Sequence, residues 1–232
     1  MSKNLSIILS TYNEELFIEE TLKYIVNTFP ECEIIIVDDN SKDNTINIVK
    51  KLNIKNVKLF ERKSRGLASA FLLGLINSSK EVIGWIDSNQ GKLIKRYPAM
   101  IDQLDTNDMV ILSRYVEGGI DERNKKRVLT SKAINSLCRY VLGSSIKDYT
   151  SSMFVMKRSV LNQVIPIAYG HGEFFIEFLY KVKKNKLKIK EVPFTQEADQ
   201  EELSKTASNI YRFISLGKDY IFRIFITLIR KN

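Results

Sequence analysis

The run Ile34-Ile35-Ile36-Val37 constrains this chain more than any other feature. Four consecutive β-branched residues leave no polar face, so a strand built from them is buried on both sides. Such strands belong to parallel sheets covered by helices. The flanking sequence agrees. Leu5 to Leu9 reads as a first buried strand, and Asn13, Glu14 and Glu15 read as a helix start. Ile18, Leu22, Ile25, Val26 and Phe29 then recur at helical spacing. A second helix is expected over Asn44 to Leu52 and a third strand over Val57 to Phe60. Gly66 opens a helix that is apolar through Ala70, Leu73 and Leu75. Val82 to Ile86 is a fourth strand, Pro98 fits the first turn of a helix running to Leu104, and Met109 to Leu112 is a fifth strand. This alternation predicts an α/β fold with a mostly parallel sheet and helices on both faces.

The second half is less regular. Gly118 to Lys126 reads as a polar, mobile loop and Arg127 to Leu142 as a helix. Met153 to Met156 is a candidate strand, Phe174 to Lys184 a helix, and Leu187 to Val192 a strand ended by Pro193. Gln196 to Lys205 is a charged loop, and Asn209 to Arg230 one long helix. With four Pro and ten Gly in 232 residues there is no room for a long linker, so one domain over 1–208 followed by a C-terminal helix over 209–232 is expected.

Ligands of open parallel sheets bind at the carboxyl ends of the strands, and polar residues gather there. Strand one ends in Ser10, Thr11, Tyr12 and Glu14, strand two in Asp38, Asp39 and Ser41, strand four in Asp87, Ser88 and Asn89, and strand five in Ser113, Arg114 and Tyr115. Asp-Asp-Asn-Ser alone is equally a turn and helix cap; four such clusters on successive strand ends point to a site. A carboxylate after strand two can accept hydrogen bonds from a base or ribose, and one after strand four can hold a divalent cation against a diphosphate. Ser64-Arg65-Gly66-Leu67-Ala68 is neither a P-loop nor a dinucleotide fingerprint, which argues against a P-loop ATPase or an NAD enzyme.

These segments in order resemble the family 2 glycosyltransferases of GT-A fold, and more narrowly the dolichol-phosphate mannosyltransferase and polyprenyl-phosphate glycosyltransferase group. The resemblance rests on Ser10 to Glu14, Val37 to Thr45, Arg65 to Ala70 and the strand ending at Asp87. Asp108 to Gly119, Lys147 to Ser152, Ile176 to Tyr180, Glu191 to Thr195 and Ser204-Lys205 extend it. It implies a nucleotide-sugar pocket formed by Ser10, Thr11, Tyr12, Glu14, Asp38, Asp39, Asp87 and Ser88. It implies Mg²⁺ or Mn²⁺ at an Asp-x-Asp motif that begins with Asp87. It places Arg114, Arg127, Ser131 and Lys205 near the donor diphosphate and the acceptor phosphate, with Asp87, Arg114 and Arg127 as the catalytic set. The implied reaction is a single inverting displacement at the anomeric carbon, with a polyprenyl phosphate as acceptor. That acceptor is already an anion and needs no general base.

The chain departs from the family pattern at several places. Asn89 stands at the second acidic position of the metal motif, where it offers a carbonyl oxygen and no charge. The family's proline in the first motif is Ser10. Phe154 stands near a usual arginine, and Glu197, Asp199, Glu201 and Glu202 make acidic a loop that usually carries another arginine. A family 2 transferase acting on a saccharide, with Glu173 or His171 as base, and a catalytically degenerate nucleotide-sugar-binding protein therefore stay open as alternatives.

Charge and composition narrow the setting. The single histidine, His171, removes His-cluster metal sites and most Ser-His-Asp schemes; a loop histidine held by its neighbours is the ordinary reading of it. Cys32 and Cys138 form neither a metal spacing nor a disulfide framework, which suits a reduced, cytoplasmic compartment. The start is wrongly flanked for a signal peptide, and no stretch of about 20 apolar residues predicts a membrane span. A net charge of +9 asks for an anionic partner. Nucleic acid fits poorly, because the aromatics lie at core-like positions and no groove-reading motif is present. Ile221, Phe222, Ile224, Phe225, Leu228 and Ile229 alternate with Arg212, Lys218, Arg223 and Arg230 in the final helix. A basic amphipathic helix of that kind suits a membrane interface or an anchoring partner, and so a peripheral position at the cytoplasmic face of a membrane.

Overall fold

The structure is a computed structural model that describes residues 4–198 and 210–230. Seven strands form one sheet in the order β3-β2-β1-β4-β7-β5-β8. They are β1 (Leu5–Thr11), β2 (Glu33–Asp38), β3 (Val57–Glu61), β4 (Val82–Trp85), β5 (Met109–Ser113), β7 (Phe154–Lys157) and β8 (Ile189–Pro193). All neighbours run parallel except β7, which lies antiparallel between β4 and β5. A separate two-stranded parallel ladder joins β6 (Ile120–Asp121) to β9 (Thr195–Gln196). The helices are α1 (Ile18–Thr28), α2 (Thr45–Leu52), α3 (Leu67–Asn77), α4 (Tyr97–Asp102), α5 (Lys125–Leu142), α6 (Phe174–Lys184) and α7 (Ile210–Ile229).

The period of two along the strands sorts the core into two layers. Ile8, Ile35, Val37, Met109 and Ile111 point to the side that also buries Phe71, Cys138, Phe178 and Ile224. Ile7, Leu9, Ile34, Ile36, Val110 and Leu112 point to the other, with Ile18, Leu22, Tyr97 and Met100. Every residue from Ile34 to Val37 is fully buried, each contributing roughly 1.5–3 kcal/mol of transfer free energy. Helix α3 lies so close to β1 that a Cβ on Gly74 would meet Ile8 Cγ2 at 2.4 Å, so the residue there has to be glycine.

Two expectations are corrected. Helix α1 begins at Ile18, not at Asn13: Asn13 has φ 54°, a left-handed value that cannot enter a helix, and Glu14 closes a turn by accepting from the Phe17 and Ile18 N–H groups. The stretch Gly118 to Lys126 is not a free loop. The Ile120 N–H donates to Phe194 O and the Glu122 N–H to Gln196 O, which builds the β6–β9 ladder, and α5 already starts at Lys125.

Candidate active site

Asp38 closes β2 with its carboxylate entirely inside the protein. It accepts from Thr11 Oγ1 at 2.7 Å, from the Ser41 N–H at 2.8 Å and from Ser41 Oγ at 2.6 Å. It therefore ties the end of β1 to the turn after β2. Ser41 Oγ also accepts from the Asn13 N–H, and Asn13 Oδ1 from the Lys42 N–H. Asn13 and Asn40 both take positive φ, which Asn tolerates better than most residues. The two turns thus form one rigid rim. Ser10 and Tyr12 lie half-buried on it, and the Arg65 guanidinium lies 3.5 Å from the centre of the Tyr12 ring.

Asp39 faces the other way. Its carboxylate is ion-paired with Arg62 Nε and accepts from the Gly66 N–H at 2.8 Å. Arg62 goes on to donate to Ser69 Oγ and Gly66 O. Asp39 thereby anchors the entrance of α3. Arg62 was invisible as a partner in sequence; its only signal was a cation one residue past a strand end.

Asp87 sits where β4 runs out, and among the described residues its carboxylate accepts from Ser152 Oγ at 3.2 Å. Burial pushes its pKa up to about 6, and the nearby Glu14 carboxylate adds to the rise. Among the described residues no cation is paired with its carboxylate, which is the environment a divalent ion or a sugar hydroxyl would relieve. Ser88 is buried, with its carbonyl accepting from Thr21 Oγ1 at 2.5 Å, while Asn89 is exposed. Among the described residues no three His, Cys, Asp or Glu side chains gather as a metal group.

Arg114, at the end of β5, is 6% exposed and bidentate on Asp148, with Nε to Oδ2 and Nη2 to Oδ1 both at 2.8 Å. Its Nη2 also donates to Thr150 Oγ1 at 2.7 Å. Burial works against its charge, but the Asp148 carboxylate outweighs that and raises the pKa further above the arginine range. Thr150 is shared with Asn135 Nδ2 at 2.8 Å and approaches Ser131 Oγ at 3.5 Å, so the predicted Ser131 does join Arg114. Arg127 lies half-buried one turn earlier on α5. Asp121 takes two hydrogen bonds from Arg123, at 2.7 Å each, and one from Tyr115 Oη at 2.9 Å. Burial disfavours the Asp121 charge, yet Arg123 and Arg114 hold its pKa down at about 2. Sequence reasoning gave no role to Asp148, Thr150, Asn135, Asp121 or Arg123. The polar island Asp148 to Ser152 was the available signal.

Beside this network a cavity of about 690 Å³ opens between Arg114, Tyr115 and Asp121 on one wall and Lys132, Ser136 and Arg139 of α5 on the other. Phe154, near the position of a family arginine, is a core residue of β7 stacked on Phe175 at 5.3 Å. Both Glu173 oxygens lie 3.0 Å from the His171 N–H. Lys205 and the acidic residues Asp199, Glu201 and Glu202 fall outside the described residues.

The family described as glycosyl transferase family 2 matches residues 6–165. The dolichol-phosphate mannosyltransferase of Pyrococcus furiosus is 33% identical over 200 residues, covering 82% of this chain, and the chain spans 55% of that relative's length. The polyprenol monophosphomannose synthase of Mycolicibacterium smegmatis is 28% identical over 216 residues, with 88% of this chain and 82% of that one covered. Among solved structures, glucosyl-3-phosphoglycerate synthase from Mycobacterium tuberculosis in complex with UDP superposes with a TM-score of 0.76 at 17% identity, covering 99% of this chain and 82% of that one. Its complex with Mn²⁺, UDP and glucosyl-3-phosphoglycerate gives 0.75 at 19% identity, with coverage of 99% and 81%. This second likeness is one of fold, the GT-A arrangement of a mostly parallel sheet between helices.

Proposed function

The chain belongs to glycosyl transferase family 2, and from that premise we propose that it moves a sugar from a GDP- or UDP-sugar to the phosphate of a polyprenyl lipid, with inversion. The observation that carries this reading is the division of the strand ends. The β1–β2 rim of Ser10, Thr11, Tyr12, Glu14, Asp38 and Asp39 lies on one side of Asp87. Arg114, Arg127, Ser131 and the basic cavity lined by Lys132 and Arg139 lie on the other. A nucleotide on the first side and an anionic acceptor on the second would meet at Asp87. Names of the two relatives, one for dolichol phosphate and one for a polyprenol monophosphate product, support the same acceptor class.

A phosphate acceptor is a nucleophile without help from a base. A saccharide acceptor would need Glu173 or His171 as base, and the Glu173 carboxylate is turned to the His171 backbone N–H. That favours the phosphate. A divalent cation fits Asp87, whose half-buried carboxylate has no ion-pair partner among the described residues; Asn89 would add a neutral oxygen and the diphosphate the remaining ones. Mg²⁺ or Mn²⁺ held there would neutralise charge on the departing nucleoside diphosphate. The protein's own part is to hold the donor on the rim and to keep cationic and hydroxyl groups facing the acceptor phosphate.

The test is a transfer assay with GDP- and UDP-sugars, Mg²⁺ or Mn²⁺, and a polyprenyl phosphate. Sugar-lipid formation that is lost in Asp87→Ala is the expected outcome. Donor binding without transfer to any lipid phosphate would leave only the nucleotide half of the proposal standing.

We place the protein at a membrane surface. No helix among the described residues is long and apolar enough to cross a membrane, but α7 exposes Ile221, Phe222, Phe225, Leu228 and Ile229. Replacing Phe222 and Phe225 by Asp should release the protein from sedimenting anionic liposomes without lowering its melting temperature.

A further inference from the structure

Helix α5 divides its polar residues between two faces. Ser131 and Asn135 turn inward, where both meet Thr150. Lys132, Ser136 and Arg139 follow at spacings of four and three, so they share the adjoining face. They form one wall of the cavity of about 690 Å³, opposite Arg114, Tyr115 and Asp121. Neither Asp87 nor Ser152 lines that cavity. The cations around it differ in what already holds them. Arg114 is bound by Asp148, and Arg123 beyond it by Asp121. Among the described residues neither Lys132 nor Arg139 has a side-chain hydrogen bond or an ion pair.

A second cavity, of about 400 Å³, adjoins the first, because Asp121 and Lys132 line both. It carries Arg123 and Lys125 together with the apolar Val128 and Leu129. Basic space thus passes into partly apolar space along one helix. Leu129 is 71% exposed, and Tyr140, three turns further on, is 90% exposed. The flank of α5 away from the cavity packs on α7: Ile134, Leu137 and Val141 join Ile224 in one buried layer. A surface that covers the exposed Phe222 and Phe225 of α7 and the exposed Leu129 and Tyr140 of α5 therefore reaches the edge of both cavities.

We propose that the two cavities on α5 form a binding site for an anionic phospholipid. Its phosphate lies between Lys132 and Arg139, and its chains leave past Val128 and Leu129. The inference rests on the membrane placement above. An ammonium and a guanidinium without partners can both donate to the free oxygens of a phosphodiester. A free phosphate would leave the adjoining apolar space unfilled, whereas a lipid fills both. An acceptor phosphate at Arg127 and Ser131 would sit beside this lipid, on the inward face of α5.

Lys132→Gln with Arg139→Gln removes both charges and keeps side-chain bulk. Lys51→Gln with Lys55→Gln, at exposed positions in and after α2, makes the same change of net charge elsewhere. Calorimetry with monomeric short-chain phosphatidylglycerol reads the site, with short-chain phosphatidylcholine as the uncharged control. Wild type and the Lys51/Lys55 variant should bind phosphatidylglycerol and not phosphatidylcholine. The Lys132/Arg139 variant should bind it about tenfold more weakly, with an unchanged melting temperature. Leu129→Ser should weaken phosphatidylglycerol and spare glycerol phosphate, which has no chains. The assignment is overturned by no binding in wild type, by equal affinity in the Lys132/Arg139 variant, or by an equal loss in the Lys51/Lys55 variant. Displacement of the phospholipid by a short-chain isoprenyl phosphate also overturns it, by making the cavity the acceptor's own site. Wild type that binds the monomer but sediments with no vesicle of phosphatidylcholine and phosphatidylglycerol overturns the membrane placement alone.

Discussion

The pair Arg114–Asp148 shows how far a single residue's role depends on what it meets. A cation at the end of a strand is read from sequence as a phosphate ligand, and at 6% exposure with two 2.8 Å hydrogen bonds to one carboxylate it is also a structural bolt. The partner lies 34 residues away, and no local pattern announces such a pairing. Asp38 and Asp39 teach the same lesson in reverse. Their place at the end of β2 was legible, but the split of duties was not. Asp38 spends its oxygens on Thr11 and Ser41, and Asp39 holds Arg62. At Arg114 the consequence is measurable. Asp148→Ala leaves a buried guanidinium without its main counter-charge, and breaking a buried pair in this way costs about 3–5 kcal/mol. Replacing both members by apolar residues, Arg114→Met with Asp148→Leu, should cost much less. Urea denaturation of the two variants checks this. A loss below about 1 kcal/mol in the single variant would show that the pair does not hold the β5 end in place.

At the scale of elements, the parallel strands β1, β2, β4 and β5 were read correctly because burial on both faces leaves a composition signature. Strand β7 was legible as a strand, but its direction was not, since antiparallel insertion between β4 and β5 is decided by distant pairing. The β6–β9 ladder was missed because two residues per strand are too few to carry a period. Helix α7 was read as amphipathic because basic residues interrupt its many apolar ones, and the structure adds what its polar inner residues do. Glu177 is buried at 1% exposure with three cations around it, Lys181, Arg223 and Arg230. Removing that carboxylate leaves like charges facing one another, one of them, Arg223, buried. Glu177→Ala should therefore loosen α7 from α6, with a loss of about 3–5 kcal/mol and faster amide exchange confined to 217–229. Unchanged exchange there would mean that apolar packing at Ile224 alone docks the helix.

Across the whole molecule, the three most strongly shifted carboxylates oppose one another as pH falls. Glu33 and Asp121 both titrate near 2 in the folded protein, against ordinary values of 4.5 and 3.8. Burial resists both charges. At Glu33, Lys58, Ser6 and Ser79 overcome it, and at Asp121 the two arginines do. Their folded pKa values are depressed, so their stabilisation is present above pH 4.5 and is lost as pH falls towards 2, by roughly 3 and 2 kcal/mol. Asp87 has the other sign. Its folded value of about 6 exceeds the ordinary 3.8. Between those limits the folded state binds a proton that the unfolded state does not, so stability rises by roughly 3 kcal/mol as pH falls from 7 to about 4. The protein without metal or nucleotide should accordingly be most stable near pH 4.5–5, not at neutrality. Chemical denaturation at half-unit pH steps locates that maximum. Asp87→Asn, neutral at every pH, should flatten the upper limb, gain up to about 3 kcal/mol at pH 7 and lose transfer, because the carboxylate that destabilises the empty site is the one the proposed cation needs. A variant no more stable than wild type at pH 7 would mean that Asp87 already has a counter-charge in solution.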